Sequence, residues 1–165
     1  MATTASFKVW KTIQLGTRHK TADDFRAAFQ AAGCYIADGA HDILRSAAFQ
    51  TAEQETEIDI VLTSVAGLGF QRFATYEEIC ARARELGLEL CSAEVGPQLR
   101  LQYLTQPFTH WLHIAMEPVV NSAGRFVIFS VDRSFGGYYL GTRYSSPDDI
   151  WYSVSRFVFA RPNSN

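Results

Sequence analysis

The chain lacks the short motifs by which many catalytic sites are recognised. It contains no GxGxxG pattern, no P-loop, no GxSxG nucleophile turn, no HExxH pair and no CxxC pair. These absences remove the simplest arguments for a nucleotide-dependent enzyme, a serine hydrolase or a zinc protease. They do not exclude enzymes that use other arrangements.

The chain also has little excess charge. Its 15 basic and 17 acidic side chains leave a formal charge of −2. A nucleic-acid-binding domain normally carries a basic stripe, or basic residues interleaved with aromatic ones. The sequence shows neither, and the run from Arg18 to Lys20 is too short to bind DNA by itself. We therefore expect no nucleic-acid partner.

Cysteine is scarce and long apolar runs are missing. The three cysteines are an odd number, which favours reduced thiols over a disulfide framework. The N-terminal stretch MATTASFKVWK has no apolar segment of signal-peptide length, and no run is long enough to span a membrane. We expect a cytoplasmic protein with no membrane partner.

The cysteines and histidines do not follow a metal-binding pattern. Ten residues lie between Cys80 and Cys91, and two lie between His110 and His113. Neither is a zinc-finger spacing. Cys91 also has no base or positive charge near it in sequence, which a reactive thiol needs. The sequence predicts no metal site and indicates no cofactor.

The bulk composition is that of a folded globule. Hydrophobic residues make up 47% and aromatic residues 13% of the 165 residues, enough to build one proper core. The aromatic rings fit either that core or an aromatic-lined pocket, and the core is the more common use. We expect one domain over residues 1–165, with loosely ordered tails at about 1–6 and 162–165.

The first half of the chain carries helix signals. Thr21 precedes a stripe that contains Phe25 and Phe29, and Gly33 is a natural stop. Thr75 and Glu78 form a capping box before another helical stripe. The predicted helices run from Thr21 to Gly33, over about 39–48, and from Thr75 to Gly87; strands are predicted over 7–15 and 57–65.

The second half carries strand signals. Gly96–Pro97 predicts a turn, after which Leu99, Leu101 and Tyr103 alternate with polar residues as a strand would. Further strands are predicted over 111–120, 126–133, 138–144 and 151–161. The fold class is therefore α+β, with two or three helices packed on a largely antiparallel sheet of five to seven strands.

One long segment resembles a known family. The string ELGLELCSAEVGPQLRLQYLTQP, together with FKVWKTIQLGT and KTADDF near the start, resembles a family of small uncharacterised bacterial proteins that share an LGLELCPAEVGPQLRLQY-like segment. The resemblance covers about 7–161, and this chain has Ser92 where the family string has proline. It implies a bacterial protein, of possible mobile gene-cassette origin, and brings no established activity.

Strand alternation predicts a polar cluster on one face of the sheet. If the apolar residues face the core, Arg100, Gln102, His113, Glu117 and Asp132 face away. Together they offer an anion-binding guanidinium, a titratable imidazole and two carboxylates. The alternative is the ordinary solvated face of a half-covered sheet.

A second group of polar residues flanks the Gly96–Pro97 turn. Glu94 and Gln98 could place polar groups at the rim of a pocket, since loops often carry function. Alternatively, Glu94 accepts hydrogen bonds from loop amides or pairs with Arg100. The sequence leaves both possibilities open.

Two hypotheses for function follow. The first is a non-enzymatic binding or interaction protein. It would use an aromatic and polar pocket or sheet surface near Arg100 and residues 134–152 to bind a small polar ligand or a protein partner, as a homodimer. The alternative is a small hydrolase or transferase acting on a polar metabolite, with Glu94 or Glu117 as acid or base, His113 as proton shuttle and Arg100 as anion holder. An enzyme of this kind must bring Arg100, a carboxylate and His113 to one cavity.

Overall fold

A computed structural model describes residues 7–108 and 110–162. The tails predicted at the two termini lie outside these ranges, apart from Pro162. The α-helices of the described residues are α1 (Ala22–Ala32), α2 (Asp38–Arg45), α3 (Tyr76–Glu85) and α4 (Val95–Gln102), with a 3-10 turn at Ala66–Leu68. The strands are β1 (Lys11–Leu15), β2 (Tyr35–Ile36), β3 (Thr56–Ser64), β4 (Phe73–Thr75), β5 (Trp111–Ile114), β6 (Val119–Val120), β7 (Phe126–Ser134), β8 (Gly137–Tyr144), β9 (Ile150–Tyr152) and β10 (Arg156–Arg161).

The strands form one large sheet and one small one. The large sheet has the order β1-β3-β10-β5-β7-β8-β2, with β6 added beside β7, and β4 pairs with β9 separately. Most neighbours are antiparallel, but β5 pairs in parallel with β10, and β2 with β8. The α+β class is confirmed. The sheet is mixed rather than simply antiparallel, and the chain forms four helices rather than two or three.

The helices with local end signals form where the sequence predicts them. The Thr21 hydroxyl accepts a hydrogen bond from the Asp24 backbone N–H, and the Asp24 carboxylate accepts one from the Thr21 backbone N–H. Gly33 ends α1 in the left-handed region. The Thr75 hydroxyl accepts the Glu78 amide at the start of α3. The second helix, α2, is shorter than the predicted 39–48. None of the described helices has both the length and the apolar character that a membrane crossing requires.

The turn and strand predicted between Gly96 and Tyr103 are wrong, because this stretch forms α4. Pro97 lies in the first turn of the helix, where backbone N–H groups have no intrahelical partner, so proline removes no hydrogen bond there. The alternation of Leu99, Leu101 and Tyr103 is too short to exclude a helix. Leu99 is fully buried against the sheet, as one position of a helical stripe.

Two long strand predictions are each divided by the structure. The stretch 111–120 contains β5 and β6, separated by a segment that includes Pro118, which has no N–H to donate to a ladder. The stretch 151–161 is cut by a turn in which the Ser155 amide bonds to the Tyr152 carbonyl. As a result β9 joins the small sheet and β10 joins the large one.

Gly96 lets α4 approach β7 closely, and its replacement should be costly. A Cβ atom at this position would lie 2.5 Å from Cδ2 of Phe129. We expect Gly96→Ala to lower the free energy of unfolding by about 1–3 kcal/mol, because the helix or the ring must shift. The measurement is urea unfolding followed by circular dichroism.

A double-mutant cycle with Phe129→Ala controls for unrelated effects of the new methyl group. Alanine removes the Cγ and Cδ2 atoms of Phe129, which lie 2.7 and 2.5 Å from the added Cβ, so Gly96→Ala should cost clearly less in the Phe129→Ala background. An equal cost in both backgrounds would contradict the close contact.

Candidate functional site

Glu94, Gln98 and Gln102 lie one helical turn apart on one face of α4. The Glu94 carboxylate is buried and accepts two backbone N–H groups at 2.8 Å, from Gly16 after β1 and from Ala52 in the loop before β3. Glu94 therefore accepts hydrogen bonds from loop amides, which is the second of the two roles that the sequence left open for it. It does not stand at the rim of a pocket, and it does not pair with Arg100.

The two glutamines continue this chain of hydrogen bonds. Gln98 Nε2 donates to Glu94 at 3.1 Å and to the Thr17 hydroxyl at 2.8 Å. The Gln102 amide both accepts the N–H and donates to the C=O of Gln14, each at 2.9 Å. It thus pairs with the free edge of β1 as a neighbouring strand would. The polar atoms of this face are committed to holding β1 in place.

A wide groove of about 750 Å³ opens beside this face of α4. Gln98 and Gln102 line it, so two of the sequence-predicted residues border a real cavity. Their amide N–H groups already donate to protein acceptors, so a ligand acceptor would have to displace these internal contacts. The remaining lining residues are Gln14, Gly16, Thr17, Arg18, His19, Lys20, Glu53, Glu55 and Leu101.

Arg100 points from the other face of α4 into the interior and has no exposed surface. Its guanidinium donates to the Gln106 side chain at 2.6 Å, to the Asp132 carbonyl at 2.9 Å and to the Tyr103 carbonyl. It also lies 4.9 Å from the centre of the Tyr138 ring. Arg100 therefore binds the protein's own acceptors, and the idea that it faces outward to hold an anion is wrong.

The rings of the predicted 134–152 region do not form one pocket with Arg100. Tyr138 packs over Arg100 and Arg133, and its hydroxyl donates to the Leu104 carbonyl. Trp151 is buried against Tyr76 and Phe157 instead.

Glu117 stands apart from the other predicted site residues. Its side chain is 84% exposed and lies 3.7 Å from Arg84. It borders a small cavity of about 160 Å³ together with Tyr76, Cys80 and Pro147.

His113 lies on the face of the sheet opposite to α4. Gly96 of α4 packs on Phe129, and side chains alternate along β7, so Ser130 faces the other way. His113 is the direct cross-strand partner of Ser130 and shares its face. Arg100 and His113 are therefore separated by the sheet. The geometry required of the alternative enzyme, with Arg100, a carboxylate and His113 in one cavity, is not formed.

The face around His113 is covered, not solvated. His113 is only 7% exposed, and its ring lies 4.6 Å from Trp151 and 5.3 Å from Phe157, measured between centroids. Trp151 belongs to the small β4–β9 sheet, which folds over this side of the large sheet. The expectation of a wet outer face is wrong here because a non-local element supplies the cover.

The imidazole of His113 is held neutral. Burial, aided by the charge of Arg143, lowers its pKa to about 3. Its Nδ1 atom is buried and has no hydrogen-bond partner among the described residues. An unpaired acceptor costs less than an unpaired N–H donor, so we place the proton on Nε2.

A polar group sits beside His113 on the same face. The Ser130 hydroxyl donates to Oδ2 of Asp132 at 2.9 Å, and Arg143 lies 3.7 Å from the same oxygen. Gly141 leaves space for them, since a Cβ there would lie 2.8 Å from both Ser130 Oγ and Asp132 Oδ2. Burial raises the pKa of Asp132, against the opposing charge of Arg143, and Oδ1 has no partner among the described residues.

A cavity of about 380 Å³, here called the His113 cavity, opens at the starts of β5 and β10. Parallel pairing of these strands places Phe157 beside His113 and Arg156 beside Leu112. Arg156 therefore leaves the sheet on the face opposite to His113 and Trp111, and the cavity is lined from both faces where the two strands begin. The Trp111 indole is 55% exposed at the cavity. The lining residues are His110, Trp111, His113, Val154, Ser155 and Arg156.

Of the sequence-predicted site residues, only His113 lines this cavity. Sequence reasoning did not connect Trp111 and Arg156 to it. No local signal could have done so, because a parallel pair joins segments that are distant in the chain.

Comparisons with known proteins add no assignment. No family model, curated protein or solved structure matches this chain. The resemblance to uncharacterised bacterial proteins therefore stays a prediction, and function must be argued from the site.

Metal and thiol chemistry find no support in the part of the chain that the structure describes. Within residues 7–108 and 110–162, no group of three or more His, Cys, Asp or Glu side chains is placed to hold a metal ion. Cys34, Cys80 and Cys91 are free and buried. Burial raises the pKa of all three thiols, to about 11 for Cys80, which keeps them protonated.

The lowered pKa of His113 predicts an acid-dependent loss of stability. An unfolded histidine titrates near its ordinary pKa of about 6.5. Between that value and about 3, the unfolded chain holds a proton that the folded protein does not. This contribution to stability is present above pH 6.5 and is lost as the pH falls, with a slope approaching about 1.4 kcal/mol per pH unit.

The measurement is the free energy of unfolding of the parent and of His113→Phe between pH 4 and 8. We expect the difference between the two proteins to be constant above about pH 7 and to shift in favour of the variant towards acid. The raised pKa of Asp132 acts in the opposite direction, as its contribution is lost when the pH rises. Asp132 is present in both proteins and should largely cancel. A pH-independent difference would contradict a buried neutral His113.

Proposed function

We propose that the protein is a non-enzymatic binding protein that holds a small polar ligand in the His113 cavity. The observation that carries the proposal is the imidazole of His113, which is more than nine-tenths buried, has an unpaired Nδ1 and borders an open cavity. A buried polar atom without a partner costs about 1–3 kcal/mol, and such atoms concentrate at functional sites. A strongly shifted pKa in a cleft points the same way.

The walls of the cavity support binding rather than catalysis. Exposed Trp111 and Val154 offer apolar surface, while His110, Ser155 and Arg156 offer polar groups. A mainly apolar concavity with a few polar side chains is the usual form of a small-molecule site. Asp132, the cross-strand partner of Trp111, is tied to Ser130 and does not line the cavity.

A thermal-shift screen of common polar metabolites tests the proposal. At a ligand concentration one hundred times the dissociation constant, binding adds about 2.7 kcal/mol, which corresponds to a rise in Tm of roughly 5–10 °C. We expect a stabilising ligand for the parent and loss of its effect in His113→Phe. Glu117→Gln, which changes a side chain in a different cavity, should keep the full shift. An unchanged shift in His113→Phe, or a flat screen, would contradict the proposal.

A protein partner is the second candidate, favoured by one exposed surface. The outer side of the small sheet presents Phe73 and its cross-strand partner Tyr152, with Ile150 two residues before Tyr152, all more than half exposed. Exposed apolar clusters of this kind often mark protein interfaces. Sedimentation of the parent and of Phe73→Ser with Tyr152→Ser tests a homodimer: a dimer that the double variant dissociates supports it, and a monomeric parent excludes it.

A further inference from the structure

We infer that the ligand of the His113 cavity is a small anion that carries a planar ring, with its negative group on Arg156 and its ring against Trp111. This inference rests on the proposed function and specifies its ligand. It is argued from the polar groups of the cavity, from its charge and from its exposed indole.

The first step concerns hydrogen-bond donors. Nη1 of Arg156 lies 3.4 Å from Nδ1 of His110. A guanidinium can only donate, so Nδ1 of His110 is the acceptor and its proton is on Nε2. His113 carries its proton on Nε2 for the reason given above. The polar groups of the lining are thus the Arg156 guanidinium, two imidazole N–H groups and the Ser155 hydroxyl.

The second step concerns what the lining does not contain. None of the six lining residues has a carboxylate or a side-chain amide oxygen. The unpaired Nδ1 of His113 can accept a hydrogen bond from a ligand, but the side-chain donors of the lining are more numerous. They favour a ligand whose charged group accepts hydrogen bonds. Carboxylate, phosphate and sulfate groups are acceptors of that kind.

The third step concerns charge. Arg156 is the charged residue of the lining, and it makes no ion pair with a carboxylate among the described residues. Arg143, on β8, is paired with Asp132 instead. The cavity therefore has a positive group without a counter-charge, which favours an anion.

The fourth step concerns shape. The Trp111 indole is half exposed at the cavity, and Val154 is 80% exposed at the same cavity. A flat indole face attracts planar rings, which stack on it in offset or edge-to-face arrangements. A volume of about 380 Å³ accommodates one ring with a charged substituent and excludes large ligands.

The experiment compares matched probes by isothermal titration calorimetry. Benzoate carries both features, benzamide has the same ring without the charge, and cyclohexanecarboxylate has the same charge without the planar ring. Phenyl phosphate distinguishes a phosphate source from a carboxylate source. We expect benzoate or phenyl phosphate to bind at least about tenfold more tightly than benzamide, which cannot make the charge-assisted hydrogen bond to Arg156. They should also bind several-fold more tightly than cyclohexanecarboxylate, which has no planar ring to stack on Trp111.

Two variants connect the binding to the residues. Arg156→Gln should weaken the anionic probes by about tenfold or more while leaving benzamide unchanged. Trp111→Leu should weaken the ring-bearing anions and leave cyclohexanecarboxylate unchanged. Arg45→Gln, a change of an exposed arginine on α2, is the matched control and should bind like the parent.

The outcomes separate this inference from the function on which it rests. If neutral polar metabolites bind to the parent, lose binding in His113→Phe and outcompete the anionic probes, the binding function stands and the anion inference is wrong. Anion binding that survives Arg156→Gln, or the absence of binding by any anionic probe at millimolar concentration, also overturns the inference. A metabolite screen with no binder removes the proposed function itself.

Discussion

Replacing Arg100 by alanine should lower the free energy of unfolding by about 3–5 kcal/mol, because several acceptors lose their donor and the large buried side chain leaves a cavity. The stability of a folded protein is typically about 5–15 kcal/mol, so this change would remove a large part of it. Few other side chains of this protein are as large and as fully buried.

The reason lies in the acceptors that Arg100 satisfies. Its guanidinium donates to Gln106 Oε1 and to the Tyr103 carbonyl, both just after α4, and to the carbonyl of Asp132 on β7. Gln106 in turn donates to the Val131 and His110 carbonyls. Without Arg100 these buried acceptors lose their donor, and α4 loses its polar connection to β7.

Arg100→Lys should not rescue the protein. An ammonium group is a compact point charge, and it cannot reach the acceptors that the planar guanidinium spans. We expect Arg100→Lys to cost nearly as much as Arg100→Ala in urea unfolding. Arg45→Ala is the matched control, because Arg45 is 62% exposed and its salt bridge among the described residues is with Asp42, one turn away. It should cost at most about 0.5 kcal/mol. A cost below about 1 kcal/mol for Arg100→Ala would contradict the structural role assigned to it.

Glu94→Ala is the second change with a large expected effect. The backbone N–H groups of buried Gly16 and half-buried Ala52 would lose their acceptor together. An unpaired buried donor costs about 1–3 kcal/mol and a half-buried one costs less, so we expect a loss of about 2–4 kcal/mol. Gln98 would also lose one of its partners.

Amide hydrogen exchange identifies the cause of this loss. The amides of Gly16 and Ala52 should exchange faster in Glu94→Ala, because their closed state depends on the carboxylate. Glu94→Gln should be intermediate, since it keeps one acceptor oxygen but turns an NH₂ group towards the other donor. Glu85→Ala, which removes an exposed carboxylate from α3, should leave the stability and the exchange rates of these two amides almost unchanged. Unchanged exchange at Gly16 and Ala52 would contradict the contacts described for Glu94.

The two large predictions explain why the polar residues of α4 misled sequence reasoning. Arg100 and Gln102 look like one polar side of a strand, yet on a helix they point in different directions. Gln102 pairs with the edge of β1, whereas Arg100 enters the core. A cluster of charged and amide side chains predicts a functional surface only if the secondary structure of the segment has been assigned correctly. Here the same residues replace missing backbone hydrogen bonds inside the fold.

What the sequence by itself determined is local. The Thr21 and Thr75 caps, the Gly33 stop and the paired strands β7 and β8 follow from interactions among residues close in the chain. These signals were enough for the α+β class.

Only the tertiary structure decided what surrounds His113. The parallel pairing of β5 and β10 and the cover supplied by Trp151 join segments that are far apart in sequence. Burial and pKa depend on those distant neighbours, so alternation along one strand could show the side on which His113 lies but not whether that side is wet. The same dependence separates Arg100 from His113 and brings Arg156 and Trp111 to the cavity instead, because strand order is set by which faces bury the most apolar surface and not by any short motif.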